Sequence, residues 1–155
     1  MTRKRLIGSI AEAIAEKEGF RVTQDQAADR RIPWPTIAQR NANPGNIRAW
    51  RRNRRPYPTR GGFVDFVAWA ATAFPAFGKA QQREAALKEG WRVLKVLISQ
   101  YIDGRFTGGK PPSAKEMFAI YAPADDRNDP VAYAEFVAFR LAIRPEQPLI
   151  DLISA

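Results

Sequence analysis

Chemistry in this chain centres on one carboxylate, Glu18, which closes an apolar helical stretch as Glu18-Gly19-Phe20. Starting from Ile7, residues Ile10, Ala11 and Ile14 keep the i, i+3, i+4, i+7 spacing of a buried stripe. At about 100° per residue, Glu18 falls about 20° from Ile7, whereas Glu12 and Glu16 point about 140–180° away, toward water. Gly19 suits the left-handed position that ends a helix, so Glu18 belongs to its last turn. Partial burial and the negative end of the helix dipole both favour a protonated carboxyl, which predicts a raised pKa. A carboxylic acid kept neutral near neutral pH is a candidate general acid. The same spacing is met by a glutamate that reaches out of the helix end into water and does nothing.

The chain has no histidine and no cysteine. That excludes a Ser–His–Asp triad, a Cys–His pair, an ordinary zinc site and any disulfide. Acid–base work falls to carboxylates, with Lys or Tyr as poorer choices. A second constellation lies downstream, where Gln39-Arg40-Asn41-Ala42-Asn43-Pro44-Gly45-Asn46-Ile47-Arg48 holds four amide side chains. Asn43-Pro44-Gly45-Asn46 is a turn signal, since proline presets φ and glycine or asparagine accepts the left-handed region. A plain tight turn accounts for Pro44 and Gly45. It accounts less well for Gln39, Asn41, Asn43 and Asn46 together, which together could form a polar ledge for a ligand.

The elements that must position these groups are mainly helical. A length of 155 residues fits a single domain, 1–155, with room for a sizeable core. Hydrophobic residues at 45% and charged ones at 26% fit a globular chain. Residues 21–35 read as polar and turn-rich, with Ile32-Pro33-Trp34-Pro35 extended. Residues 47–50 and 62–67 read as two short strands of one hairpin, and Phe63–Phe77 as a buried strand leading into a short helix. A long helix is predicted from Gln81 to Ile102, stopped by Gly104, with its stripe at Leu87, Trp91, Leu94, Ile98 and Tyr101 and its Lys and Glu residues opposite. Ser113-Ala-Lys-Glu116 is a capping box that starts a further helix. Asp129-Pro130 starts the next, and the tail 148–153 is expected to pack back onto the core.

The net charge of +9 predicts attraction to a polyanion: nucleic acid, an anionic membrane surface or a cell wall. Six arginines between Arg48 and Arg60, interleaved with Trp50 and Tyr57, are the most basic part. They suit phosphates with stacked rings, or equally a solvated hairpin tip. No stretch is long and apolar enough to span a bilayer. The basic N-terminus lacks the apolar run of a signal peptide, because Glu12, Glu16 and Lys17 interrupt it. The Asp125, Asp126, Asn128, Asp129 group lacks the glycine and distal glutamate of a calcium loop, so no metal is expected.

Glu-Gly-Phe followed by the Gln-Arg-Asn-Ala-Asn-Pro-Gly-Asn-Ile-Arg block resembles a lysozyme-like family of bacterial and phage proteins. The resemblance continues through Phe63-Val64-Asp65-Phe66, Glu89-Gly90-Trp91, and Tyr121-Ala-Pro through Asn128-Asp-Pro, Tyr133 and Phe136-Val137, in that order over most of the chain. The spacing between Phe66 and Glu89, and the arginine-rich hairpin, are both expanded relative to the family. The resemblance implies a mainly helical domain with a small β-hairpin along one wall of a cleft. It implies cleavage of peptidoglycan glycan strands, by a muramidase or a lytic transglycosylase, with Glu18 as the catalytic acid.

A hydrolase of this kind needs a second carboxylate, for which Asp25 is the first choice and Asp29 and Asp65 follow. A lytic transglycosylase needs none, because the substrate's own 6-hydroxyl closes the ring, and the scarcity of partners favours that version. Gln39, Asn41, Asn43, Asn46 and Arg48 would hold N-acetyl and hydroxyl groups, with Tyr121 and Tyr133 lining the cleft. No cofactor is expected; the partner is the glycan strand, other polyanions are secondary ones, and the protein acts as a monomer on the cell wall after release or export. The competing readings are a non-catalytic phage or secretion-system wall-binding protein of the same fold, and nucleic-acid binding through the Arg48–Arg60 cluster.

Overall fold

The first apolar stripe forms α1 (Arg3–Lys17), which buries Leu6, Ile10, Ala11 and Ile14 and leaves Glu12 and Glu16 exposed, as the periodicity requires. The computed structural model describes residues 1–126 and 128–154. The chain divides into two units, Met1–Lys17 with Lys95–Ala155, and Glu18–Leu94. Both are mainly helical.

In the second unit, the region expected to be turns contains a short helix, α2 (Gln24–Asp29). Its start is a reciprocal capping box. Thr23 accepts from the Gln26 amide at 3.2 Å, and the Gln26 side chain accepts from Thr23 at 3.0 Å. A second box, Thr36 with Gln39, starts α3 (Ile37–Arg40). That helix ends in a Schellman turn: Ala42 sits at φ +50°, Asn43 N–H donates to the Ala38 carbonyl at 2.9 Å, and Ala42 N–H to Gln39 at 3.2 Å.

The arginine-rich stretch is two antiparallel hairpins rather than the tip of one. Strand β1 (Arg51–Arg52) pairs with β2 (Arg55–Pro56), and β3 (Thr59–Arg60) pairs with β4 (Phe63–Val64). The reason is local, since both connections place two successive residues at positive φ. These are Asn53 (+50°) with Arg54 (+66°) and Gly61 (+63°) with Gly62 (+82°), the backbone signature of a two-residue hairpin turn. After β4, Asp65 caps α4 (Phe66–Ala73) by accepting from Ala68 N–H at 3.1 Å. Helix α5 (Lys79–Ile102) contributes its length as far as Leu94 to this unit and the remainder to the other.

The first unit joins α1 and the end of α5 to α6 (Ala114–Tyr121) and α7 (Pro130–Leu141). The predicted caps are in place: Ser113 and Glu116 form the box, and Asp129 accepts from Ala132 N–H at 3.0 Å with Pro130 beside it. Leu6, Ile14, Ile98, Phe118, Val137 and Leu149 are among its buried side chains. The tail does pack back, with Leu149 buried and its N–H donating to the Pro112 carbonyl at 2.9 Å. Among the described residues no helix is long and apolar enough to cross a membrane, and no group of acidic side chains is arranged to hold a metal ion.

Candidate functional site

Glu18 follows α1 directly and is half-buried, and Gly19 takes the left-handed conformation at φ +73° that turns the chain away from the helix axis. The segment from Gly19 to Val22 is fastened from two sides. Phe20 meets the Trp91 ring of α5 edge-on at 5.6 Å, and the Arg21 guanidinium lies 5.4 Å from the same ring. On the other side the Thr36 hydroxyl donates to the Gly19 carbonyl at 3.2 Å, and the Gln39 amide donates to the Val22 carbonyl at 2.8 Å. Gln39 therefore joins the Glu18 segment to α3. Its side-chain oxygen is also engaged, accepting from Thr36 N–H at 2.8 Å.

The Asn43–Asn46 turn forms as predicted, with Asn46 N–H donating to the Asn43 carbonyl at 3.1 Å and Asn46 at φ +46°. Its asparagines divide the work. Asn43 is fully buried; its amide donates to the Ile47 and Val64 carbonyls at 2.9 and 3.1 Å, and its oxygen accepts from Ile47 N–H at 2.9 Å. Asn41, also buried, donates to the Arg60 carbonyl at 3.0 Å. Neither side chain forms part of an exposed ledge. Burial makes them the frame that ties the turn to the second hairpin, which corrects the expectation that Asn43 and Asn41 meet a ligand.

Asn46 is the amide that reaches the carboxylate: its Nδ2 donates to Glu18 Oε2 at 3.0 Å. The Asn46 Oδ1 is buried and has no hydrogen-bond partner among the described residues. A buried amide oxygen without a donor is costly, about 1–3 kcal/mol. Replacing the frame is costly too. Asn43→Ala strips three hydrogen bonds from a fully buried site and leaves Ile47 N–H and the Val64 carbonyl unmatched, while the Ile47 carbonyl keeps Val64 N–H, so a loss of about 2–4 kcal/mol in urea unfolding is expected. The turn would loosen with it.

The other predicted residues scatter. Asp25 stands exposed in the first turn of α2. Asp29 is exposed at the end of that helix, and Asp65 is buried as the α4 cap. Arg48 is exposed with its guanidinium 5.0 Å from the Phe63 ring. Tyr121 and Tyr133 belong to the first unit, in an aromatic cluster. Tyr133 is buried and stacks on Phe118 at 4.7 Å, and Tyr121 meets Phe118 edge-on at 5.7 Å. For Tyr133, packing in that cluster replaces the expected place along a cleft.

One polar centre escapes the helical-face reading. Glu89, expected on the wet side of α5, is only 7% exposed. It accepts from Tyr57 Oη at 2.6 Å, Arg92 Nε at 3.1 Å and Arg52 Nη1 at 3.2 Å, with a further contact to Arg92 Nη2. The spacing Ala86, Glu89, Gly90, Val93 shows that it lies on the buried face, and that spacing is the signal that could have found it. Burial pushes the Glu89 carboxyl up, but hydrogen bonds from Arg92 and Tyr57 and the charges of Arg92 and Arg52 outweigh it and hold it below the usual range. Burial, then Glu89, pushes the Tyr57 phenol up, and burial pushes Tyr101 to about 12.

The signs fix a stability window. A carboxyl lowered in the folded state stabilises above its ordinary 4.5, and that contribution is lost as the pH falls through the folded value. A phenol raised in the folded state stabilises below its ordinary 10.0, and its contribution is lost as the pH rises toward about 12. Urea midpoints measured against pH should therefore fall at both ends. Glu89→Gln should flatten the acid limb and, by removing the charge that helps push Tyr57 up, also change the alkaline one, leaving the Tyr101 contribution in place.

No family model, curated protein or solved structure matches this chain.

Proposed function

We propose that this chain is a lysozyme-like protein that cleaves the glycan strands of peptidoglycan, with Glu18 as the general acid and base. The reading is carried by the contact between Glu18 Oε2 and Asn46 Nδ2 at 3.0 Å, together with the buried, unpaired Asn46 oxygen. A side-chain amide serves both protonation states of a carboxyl. Its NH₂ donates to the carboxylate; turned over about its terminal bond, its oxygen accepts from the acid O–H. A carboxyl that must give and then regain a proton is well matched by such a neighbour.

In this mechanism Glu18 protonates the glycosidic oxygen as the bond from C1 to that oxygen breaks, and the cationic ring is left at C1. The carboxylate then takes the proton from the substrate's own 6-hydroxyl, whose oxygen closes onto C1. Glu18 ends protonated, ready for the next cycle. No second carboxylate takes part, which agrees with Asp65 being committed to a helix cap.

Digestion of purified peptidoglycan followed by mass spectrometry tests the proposal. Soluble fragments ending in an anhydro sugar support it, and fragments heavier by one water support the hydrolytic version. Walls that bind the protein but release nothing overturn cleavage in favour of a wall-binding role.

A further inference from the structure

A cavity of about 910 Å³ lies between the first hairpin and α4, lined by Arg52, Asn53, Arg55, Tyr57, Trp69 and Thr72. Its volume falls in the range of small-molecule sites. What distinguishes it is the way Arg52 is held. One guanidinium nitrogen reaches the buried Glu89, and the group lies 5.4 Å from the Trp69 ring, yet half of the side chain remains exposed. Arginine carries five donors in a planar fork, and one is used in the contact to Glu89. Glu89 also fixes the Tyr57 hydroxyl, and Tyr57 in turn packs 5.8 Å from Trp69. The floor is therefore rigid, and a fork already immobilised loses little freedom when it takes an anion.

Arg55 adds an exposed second guanidinium at the same cavity, with no acidic partner among the described residues. At the hairpin tip Arg54 occupies φ +66°, where glycine would be easier. Arg54 is exposed there and adds to the positive charge of the hairpin beside the cavity.

We propose that this cavity binds a sugar ring carrying an anionic substituent, a carboxylate or a phosphate. The Arg52 and Arg55 forks take the anion, Trp69 takes the apolar face of the ring, and Asn53 and Thr72 take hydroxyl groups. The choice of a sugar rests on the cleavage reading above; the anion preference rests on the cavity alone. A single-stranded nucleic acid fits less well, because such sites string several stacking platforms along a basic groove. Here the exposed strand residues Arg51, Arg52, Arg55 and Thr59 bring no such series.

Calorimetric titration of the full chain distinguishes the cases, using N-acetylmuramic acid, N-acetylglucosamine 6-phosphate, neutral N-acetylglucosamine and an oligothymidylate as probes. Binding of one or both acidic sugars at least about 10-fold tighter than the neutral one supports the proposal, and which of them binds identifies carboxylate or phosphate. Arg52→Lys keeps the charge but loses the fork, so it should weaken the acidic sugar about 10-fold, as should Arg55→Gln. Arg51→Gln, off the cavity, should change it less than about two-fold. Equal affinity for neutral and acidic sugars, an effect of Arg51→Gln as large as that of Arg52→Lys, or tighter binding of the oligothymidylate overturns it. Should Arg52→Lys fail to fold, the exposed Arg55 decides alone. Monosaccharide binding does not depend on turnover, so an inactive Glu18 would leave this result standing, and an empty cavity would leave cleavage standing.

Discussion

Glu18→Gln is expected to abolish release of soluble fragments from purified peptidoglycan, by at least about 100-fold, while far-UV circular dichroism and the urea midpoint stay near those of the unchanged protein. The substitution keeps the shape of the side chain and the place beside Asn46. It removes the proton that glycosidic cleavage needs, and the chain has no histidine or cysteine to supply one instead. Glu18 is half-buried and follows α1 rather than lying within it, so an amide there disturbs little packing. Asn46→Ala is the companion variant. It leaves the carboxyl in place but removes the neighbour that donates to it at 3.0 Å, so activity should fall less than in Glu18→Gln and its pH optimum should move. Full activity in Glu18→Gln would end the proposal outright.

Gly90→Ala is expected to cost about 3 kcal/mol or more of stability, although alanine is ordinarily the better helix former. A Cβ at Gly90 would stand 2.1 Å from the Ala42 carbonyl oxygen and 3.0 Å from Pro44 Cδ. Neither neighbour can give way cheaply. Ala42 is held at φ +50° by the Schellman turn, and Asn43 next to it is locked by three hydrogen bonds to the backbone. The strain falls on the turn that carries Asn46, so fragment release should drop even at temperatures where the variant is folded. Gly8→Ala is the control, lying within α1 with nothing within 4 Å of its added methyl. There the helix preference acts alone, and a gain of about 0.5–1 kcal/mol is expected. Urea unfolding of the two variants side by side reads both signs.

The mainly helical class, the α5, α6 and α7 helices and the stop of α1 beside Gly19 are legible from local spacing, although α1 ends at Lys17, so Glu18 follows the helix and does not lie in its last turn as expected. Apolar periodicity placed Ile10 and Ile14 inside, Ser113 with Glu116 and Asp129 with Pro130 announced their helices, and Gly19 marked the stop. The Thr23 box that starts α2 is equally local, but the polar residues around it offer no apolar stripe to mark a helix.

Tertiary structure decided which polar side chains would meet. Sequence shows four amides near one turn but not their directions. Folding turned Asn41 and Asn43 inward to satisfy backbone groups of the second hairpin, Gln39 toward Val22, and Asn46 toward Glu18. The same holds for Glu89. Its partners Tyr57 and Arg52 stand more than thirty residues away in sequence, and a buried carboxylate is tolerable only where such donors converge. Periodicity reports which face of an element is dry; it carries no information about which distant donor will arrive there.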